Sequence, residues 1–156
     1  MKTAVVFYSL DGNCALAAEE IKTLLNADLI RLQTMDEKKR GKIGKFFWAG
    51  GMMFSKKLPQ LKPFTFNPSD YDLIIIGAPV WAGSPAAPVK TFITNAAITG
   101  KKIAIFVCHA GGMGDSLVKL KTLLTGNDII AEVDFLSAAK NAEEMKKKVG
   151  EWVKEF

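Results

Sequence analysis

The chain alternates between continuous apolar runs and segments whose apolar residues recur at helical spacing. Four runs rich in β-branched residues and a weaker fifth run predict strands at residues 3–8, 28–32, 72–78, 102–108 and 129–136. Runs such as LIIIG and IAIFV are continuous rather than alternating, which is typical of strands covered on both faces of a parallel sheet. Helical spacing predicts helices at residues 15–25, 88–95, 116–124 and 142–156.

Strand and helix alternate to the end of the chain, which predicts an α/β fold with a three-layer, doubly wound, five-stranded parallel sheet. Ligands of such sheets bind beyond the carboxyl ends of the strands, where the strand order reverses. Three loops of this sequence are predicted to lie at that edge.

Length and composition favour one domain over residues 1–156, because 156 residues with 49% hydrophobic content can form a single core. Residues 34–71 are too long for a simple connection, and a basic aromatic insertion is expected at about residues 36–66. Two distant cysteines and one histidine match no zinc spacing, so no metal site is expected. Apolar runs are too short for a transmembrane segment, and a cytoplasmic location is the expectation.

The net charge of +5 comes from one segment, residues 38–62. This segment carries eight Lys or Arg and no Asp or Glu, which leaves 13 basic residues (21 − 8) against 16 acidic ones elsewhere. It also contains Phe46, Phe47, Trp48 and Phe54.

The first loop, SLDGNCA at residues 9–15, follows the first predicted strand and opens the first predicted helix. Its backbone amides and the helix N-terminus converge on one small volume, which suits a phosphate. Ser9 offers a hydroxyl, Gly12 allows a positive φ, and Asn13 offers a cap or an amide. An ordinary turn with a helix cap and no ligand is the alternative.

The second loop, residues 78–89, and the third loop, residues 108–115, follow the next two central strands. Trp81 stands between prolines, where it either stacks on a flat ligand or folds back over the sheet edge. In the third loop, CHAGGMGD, three glycines leave backbone groups open to the polar edge of a heterocycle. Three such loops on one edge are stronger grounds for a ligand site than any one alone.

These residues resemble the flavodoxin family. VVFYSLDGN, residues 5–13, resembles the signature loop that wraps the phosphate of FMN, and GAPVWAGSPAAPVKTFI and FVCHAGGMGDSLVKL resemble the two loops that flank the flavin ring. The resemblance spans nearly the whole chain and implies the strand order 2-1-3-4-5. It also implies FMN as the cofactor.

The resemblance assigns a role to each loop. The phosphate would be held by Ser9, Asp11, Gly12, Asn13, Cys14 and Ala15. The isoalloxazine would be flanked by Pro79, Val80, Trp81, Ala82 and Gly83, and its pyrimidine side lined by Cys108, His109, Gly111, Gly112 and Gly114. Trp81 is the candidate for ring stacking, and Gly83 for the backbone group that faces the reactive flavin nitrogen.

Two positions depart from the family pattern, because Asp11 and Cys14 stand where threonines are usual. A carboxylate repels a phosphate unless it points away, so Asp11 is also a candidate helix cap. Cys14 at a helix start would suit a phosphatase nucleophile, but that chemistry needs Cys-x5-Arg, and Glu20 occupies the arginine position. A receiver domain is excluded because Ser9 and Ala78 occupy strand ends that would have to be acidic.

Two roles remain open for His109 and three for the basic segment. His109 either donates a proton to reduced flavin or substrate, or bonds nearby backbone. The segment either packs as a solvated basic helix, covers the flavin and recognises a substrate or coenzyme phosphate, or docks on an anionic membrane surface or acidic partner. No nucleic-acid reader motif is present.

The functional expectation is a flavodoxin-like FMN protein that transfers electrons to a redox partner protein. The alternative is an NAD(P)H-dependent FMN oxidoreductase that reduces quinones or similar small acceptors. The short chain and the lack of a nicotinamide fingerprint favour the carrier, whereas the aromatic basic segment favours the enzyme.

Overall fold

A computed structural model provides the structure, and it describes residues 1–36, 44, 48–52 and 57–156. The strands are β1 (Thr3–Phe7), β2 (Asp28–Arg31), β3 (Leu73–Trp81), β4 (Ser84–Pro85), β5 (Lys102–His109) and β6 (Asp128–Leu136). The sheet order is β2-β1-β3-β5-β6, with every neighbouring pair parallel. Counted without the short β4, this is the predicted order 2-1-3-4-5, so the fold prediction is confirmed.

Helices cover both faces of the sheet, which explains why the central strands are apolar throughout. The α-helices are α1 (Asn13–Leu25), α2 (Ala87–Ala96), α3 (Ser116–Leu123) and α4 (Ala142–Trp152). Ile21 of α1 and Val149 of α4 pack in the core on one face. Phe92 of α2 and Leu120 of α3 pack in the core on the other face. Short 3₁₀ turns lie at Pro68–Asp70 and Val153–Glu155, so the last predicted helix ends at Trp152 rather than Phe156.

The prediction that β3 ends at Ala78 is wrong, because the strand continues to Trp81 and turns back into β4. Val80 pairs with Pro85 and Trp81 with Ser84 in an antiparallel hairpin. The two residues between them, Ala82 and Gly83, have φ of 48° and 69°. Two consecutive positive φ values define the type I′ geometry whose twist matches a two-residue hairpin. Part of the predicted second loop is therefore regular structure.

The described residues contain no helix that is long and apolar enough to cross a membrane.

Candidate functional site

The three predicted loops meet at the carboxyl edge of the sheet, where β1, β3 and β5 end side by side. Pro79 and Cys108 are partners in the β3–β5 register, so the second and third loops start together. They also touch farther out, because a Cβ atom built on Gly114 would lie 2.8 Å from the Cα of Gly83. The hairpin turn and the third loop therefore form one continuous wall.

Ser9 organises the first loop. Its side chain is buried, and its Oγ accepts hydrogen bonds from the backbone N–H groups of Gly12 and Ala15, both at 3.2 Å. A hydroxyl has two lone pairs and one hydrogen. Both lone pairs are engaged, so the hydroxyl hydrogen is left to donate to a ligand.

Asp11 accepts a hydrogen bond at the start of α1, in line with its prediction as a candidate helix cap. Its Oδ1 accepts a hydrogen bond of 3.2 Å from the N–H of Asn13, the first residue of α1. Gly12, with φ of 98°, is the N-cap residue and supplies no side chain. The Asn13 side chain does not cap the helix, because its Oδ1 accepts a 2.8 Å bond from Ala139 N–H in the loop before α4. Asp11 thus puts a negative charge beside the position predicted for a phosphate.

Arg31 is a basic neighbour of the first loop that the sequence patterns did not single out. It ends β2, and one terminal nitrogen of its guanidinium donates a 3.1 Å hydrogen bond to the carbonyl of Ser9. The signal available in the sequence was an arginine at the carboxyl end of a strand predicted to lie beside β1. It brings positive charge to the loop that holds Asp11.

Trp81 lies half-buried at the end of β3 in a chain of three aromatic rings. Its ring centroid is 5.7 Å from that of Tyr8 and 6.2 Å from that of Trp48, and both contacts are edge-to-face. Trp81 also packs against the core on the α2–α3 face. Trp81 is therefore anchored at the sheet edge, as the second alternative predicts, and it remains partly exposed.

Lys119 of α3 fixes the hairpin turn. Its Nζ donates hydrogen bonds to Ser84 Oγ at 2.6 Å and to the Gly83 carbonyl at 3.3 Å. Burial lowers the pKa of Lys90 on α2, and the positive charge of Lys119 lowers that pKa further. The turn thus lies in a positive environment that sequence patterns do not show.

The two cysteines are buried in the same core, on the α1–α4 face. Burial raises the pKa of the Cys14 thiol well above its ordinary value, and the neighbouring Cys108 and the charge of Asp11 raise it further. A protonated thiol is a poor nucleophile. The side chain of Cys14 is therefore a core group, and a phosphatase role has no support.

His109, the last residue of β5, has a side chain that is 11% exposed. Its Nε2 lies 2.9 Å from Oδ2 of Asp134 on β6, a partner that the sequence patterns did not reveal. Its Nδ1 is buried and has no hydrogen-bond partner among the described residues. The ring therefore bonds to a carboxylate side chain, and the alternative in which it bonds only to nearby backbone is wrong.

The remaining predicted residues lie in or beside the same edge. Pro79 is buried on β3, Val80 is half-buried next to Trp81, and Gly111 and Gly112 are exposed in the third loop. Within the described ranges no cluster of His, Cys, Asp or Glu could hold a metal ion.

Much of the basic segment lies outside the described residues, including Lys38, Lys39, Arg40, Phe46 and Phe47. The described part includes residues 48–52, which are helical. Through Trp48 this short helical stretch contacts Trp81, so part of the segment approaches the candidate site. Trp48 and Met52 also line a cavity of about 550 Å³ together with Asp36, Lys57, Leu58 and Pro59.

Comparison with known proteins agrees with the fold. The family model described as flavodoxin matches residues 2–156. No curated protein matches the chain by sequence.

Several solved structures share the fold. A flavoprotein from Lactobacillus acidophilus NCFM in complex with FMN is 24% identical over 90% of this chain and 97% of that chain, with a TM-score of 0.74. A protein assigned as a flavoprotein from Bacteroides uniformis ATCC 8492 is 22% identical over 98% and 97%, with a TM-score of 0.83. Two-electron reduced Megasphaera elsdenii flavodoxin is 20% identical over 94% and 95%, with a TM-score of 0.63. At these identities the likeness establishes the fold.

Proposed function

The chain belongs to the flavodoxin family, and from that premise we propose that it binds FMN noncovalently at the carboxyl edge of the sheet and transfers electrons to a protein partner. The observation that carries the proposal is the Ser9 hydroxyl, which accepts two backbone N–H groups and keeps its hydrogen for a ligand. It lies at the start of α1, whose first turn contains no acidic residue. Such a helix start favours an anion.

The phosphate end of the cofactor would be held by the first loop. The amides of Gly12, Asn13 and Ala15 make bonds of 3.2 Å to side-chain oxygens, which is long for an N–H···O bond. A phosphate oxygen bound there would share these N–H groups with Ser9 and Asp11 through charge-assisted bonds of its own. Arg31 adds positive charge on one side, and Asp11 opposes the phosphate unless its carboxylate turns outward.

The ring end would lie along the second and third loops. Trp81 offers a partly exposed aromatic surface for the ring, and Gly83 and Gly114 supply backbone without side chains to obstruct it. His109, Gly111, Gly112 and the backbone of Cys108 would lie on the pyrimidine side. Two buried polar atoms without partners among the described residues, His109 Nδ1 and Ser116 Oγ, stand at the two ends of the third loop. The residues present therefore fit a flavin.

When bound, FMN supplies the redox chemistry, and the protein supplies binding, orientation and electrostatics. Tyr8, which is fully buried, and Trp81, which packs against it, would exclude water from the inner side of the ring site. Lys119 holds the turn carbonyl of Gly83, and with Lys90 it gives the outer side a positive field. A positive field favours added electrons at the site and attracts an acidic partner.

A second candidate function, reduction of small acceptors by NAD(P)H, is supported by the cavity beside Trp48. Its volume of about 550 Å³ is in the range of small-molecule pockets, and its lining combines apolar side chains with the charged Asp36 and Lys57. Trp48 connects this cavity to Trp81, so an acceptor bound there would lie close to the proposed ring site.

The test is a titration of the purified protein with FMN and with riboflavin, followed by anaerobic addition of NADPH and NADH to the loaded protein. We expect FMN to bind more tightly than riboflavin, and Ser9→Ala to reduce that difference by about tenfold. Ser69→Ala, an exposed serine far from the site, is the matched control. Absence of FMN binding by the wild-type chain would refute the proposal.

The response to nicotinamides separates the two functions. Flavin that stays oxidised with both coenzymes supports the carrier. Reduction at a catalytically useful rate supports the enzyme instead.

A further inference from the structure

His109 is the first member of a three-residue relay that crosses the edge of the sheet. Its Nε2 bonds to Oδ2 of Asp134, and Lys148 Nζ donates hydrogen bonds to Oδ1 of Asp134 at 3.0 Å and to the Asp134 carbonyl at 2.7 Å. Asp134 is the register partner of Val107, and His109 lies two residues farther along β5 on the same face. Lys148 comes from α4, which packs on the opposite face, so its side chain reaches around β6.

The relay fixes which ring nitrogen of His109 carries hydrogen. Burial by itself would raise the pKa of Asp134, but the hydrogen bonds from His109 and Lys148 and the positive charge of Lys148 hold it below its ordinary value. Asp134 is therefore ionised at neutral pH and can only accept hydrogen bonds. Nε2 of His109 must then be the donor, and in the neutral ring Nδ1 is left with an unshared electron pair.

In the described part of the chain, no N–H or O–H group donates a hydrogen bond to that electron pair. Nδ1 is buried away from solvent and lacks a hydrogen-bond partner there. Buried polar atoms without partners are rare in folded proteins and ask for an explanation, a bound ligand among them. His109 is the last residue of β5 and lies where the third loop begins, at the carboxyl edge of the sheet.

We propose that His109 Nδ1 accepts a hydrogen bond from the ring N–H of a heterocyclic ligand held by the third loop, and that Asp134 and Lys148 are positioning residues for it. The inference rests on the proposed function, under which the ligand is oxidised FMN, whose isoalloxazine has one ring N–H. It goes beyond flavin binding because it makes the flavin ring N–H the donor and His109 Nδ1 the acceptor. It also says that Asp134 and Lys148 orient the His109 ring for this bond.

The binding test compares FMN with FMN methylated at its ring N–H. The wild-type chain should bind FMN about tenfold more tightly than the methylated form, the effect of one hydrogen bond to a buried acceptor. His109→Leu should weaken FMN binding and bind the two forms alike. If His109→Leu keeps the wild-type preference for FMN, the hydrogen bond is made elsewhere and the inference fails.

The spectroscopic test uses ¹⁵N-labelled histidine, because His109 is the only histidine in the chain. At pH 8.5 the apoprotein should show a non-protonated Nδ1, and saturating FMN should move that resonance in the direction of a hydrogen-bonded acceptor. An Nδ1 signal that does not change with bound FMN would overturn the inference.

The positioning residues have their own readout, the tautomer of the His109 ring. Asp134→Asn should give a mixture of tautomers and weaken FMN binding, and Lys148→Gln should do so to a smaller extent. Lys147→Gln, on the same helix and exposed, is the matched control and should leave the spectrum unchanged. A single unchanged tautomer in Asp134→Asn would refute the relay.

The outcomes distinguish this inference from the proposed function itself. If wild-type protein binds no FMN, both fall together. If it binds FMN with an unperturbed Nδ1, only the relay is refuted.

Discussion

Gly83 and Gly114 meet backbone to backbone, and this contact joins the hairpin turn to the third loop. A Cβ atom on Gly114 would lie 2.8 Å from the Cα and 3.1 Å from the carbonyl oxygen of Gly83. Gly114 also has a φ of 51°, in the left-handed region. Both the space and the conformation therefore require glycine at position 114.

Gly114→Ala should separate the two loops and destabilise the fold by about 2 kcal/mol, because it combines a backbone clash with left-handed strain. Urea unfolding measures the loss. Gly112→Ala is the matched control, since no atom lies within 4 Å of its Cβ position and its φ is not restricted. Equal stability of the two variants would show that the loops do not need this contact.

Ala82→Asn should stabilise the protein by about 0.5 kcal/mol. Asn-Gly is a preferred type I′ turn pair, and asparagine tolerates the φ of 48° better than alanine does. The same measurement on Ala139→Asn, at an exposed loop position that does not have a positive φ, gives the background effect of adding an asparagine. A loss of stability in Ala82→Asn would argue against the turn type.

Trp81→Ala should weaken FMN binding by at least about tenfold, because stacking and exclusion of water at the ring are lost together. Fluorescence quenching of FMN measures the affinity. Trp81→Phe, which keeps an aromatic ring, should fall between the alanine variant and the wild type.

Trp152→Phe is the control for the loss of a tryptophan, because Trp152 is buried against Phe156, in the core on the α1–α4 face. Unchanged FMN affinity in Trp81→Ala would remove Trp81 from the site.

Asp11→Asn should tighten FMN binding by about three- to tenfold while leaving riboflavin binding unchanged. The amide keeps an oxygen to accept the Asn13 N–H but removes the charge that repels a phosphate. Calorimetric titration gives both affinities. Glu144→Gln, an exposed acid on α4, controls for net charge. An equal gain for riboflavin would mean that Asp11 does not act on the phosphate.

Asp134→Asn should change how stability depends on pH in acid. The pKa of Asp134 is depressed in the folded chain, so its contribution is present above the ordinary aspartate pKa of about 3.9 and is lost as pH falls through the lower folded value. The stability difference between wild type and variant should therefore be larger at pH 5 than at pH 2.5.

Urea unfolding at the two pH values gives that difference. Glu151→Gln, an exposed acid on α4, should show no such change. A difference between wild type and Asp134→Asn that is the same at both pH values would contradict the ion-pair account of Asp134.

Sequence patterns alone predicted the architecture and the sheet edge at which the three loops meet. Apolar runs such as residues 73–76 are buried on both faces, and this burial is a local property that the sequence shows directly. The order of elements then fixes the carboxyl edge, so the sequence predicts that Ser9, Trp81 and Gly114 lie at the same edge. The strand order itself came from family resemblance rather than periodicity.

Only the tertiary structure shows which side chains from other elements contact the candidate site. Asp134 and His109 are 25 residues apart, and their contact depends on the register of β5 and β6, which no local pattern encodes. Arg31 reaches Ser9 across two neighbouring strands, and Lys119 reaches Gly83 from a helix on the far side of the third loop. Periodicity reports which face of its own element a residue occupies. Which residue of another element it meets is set by packing, and only the folded chain shows it.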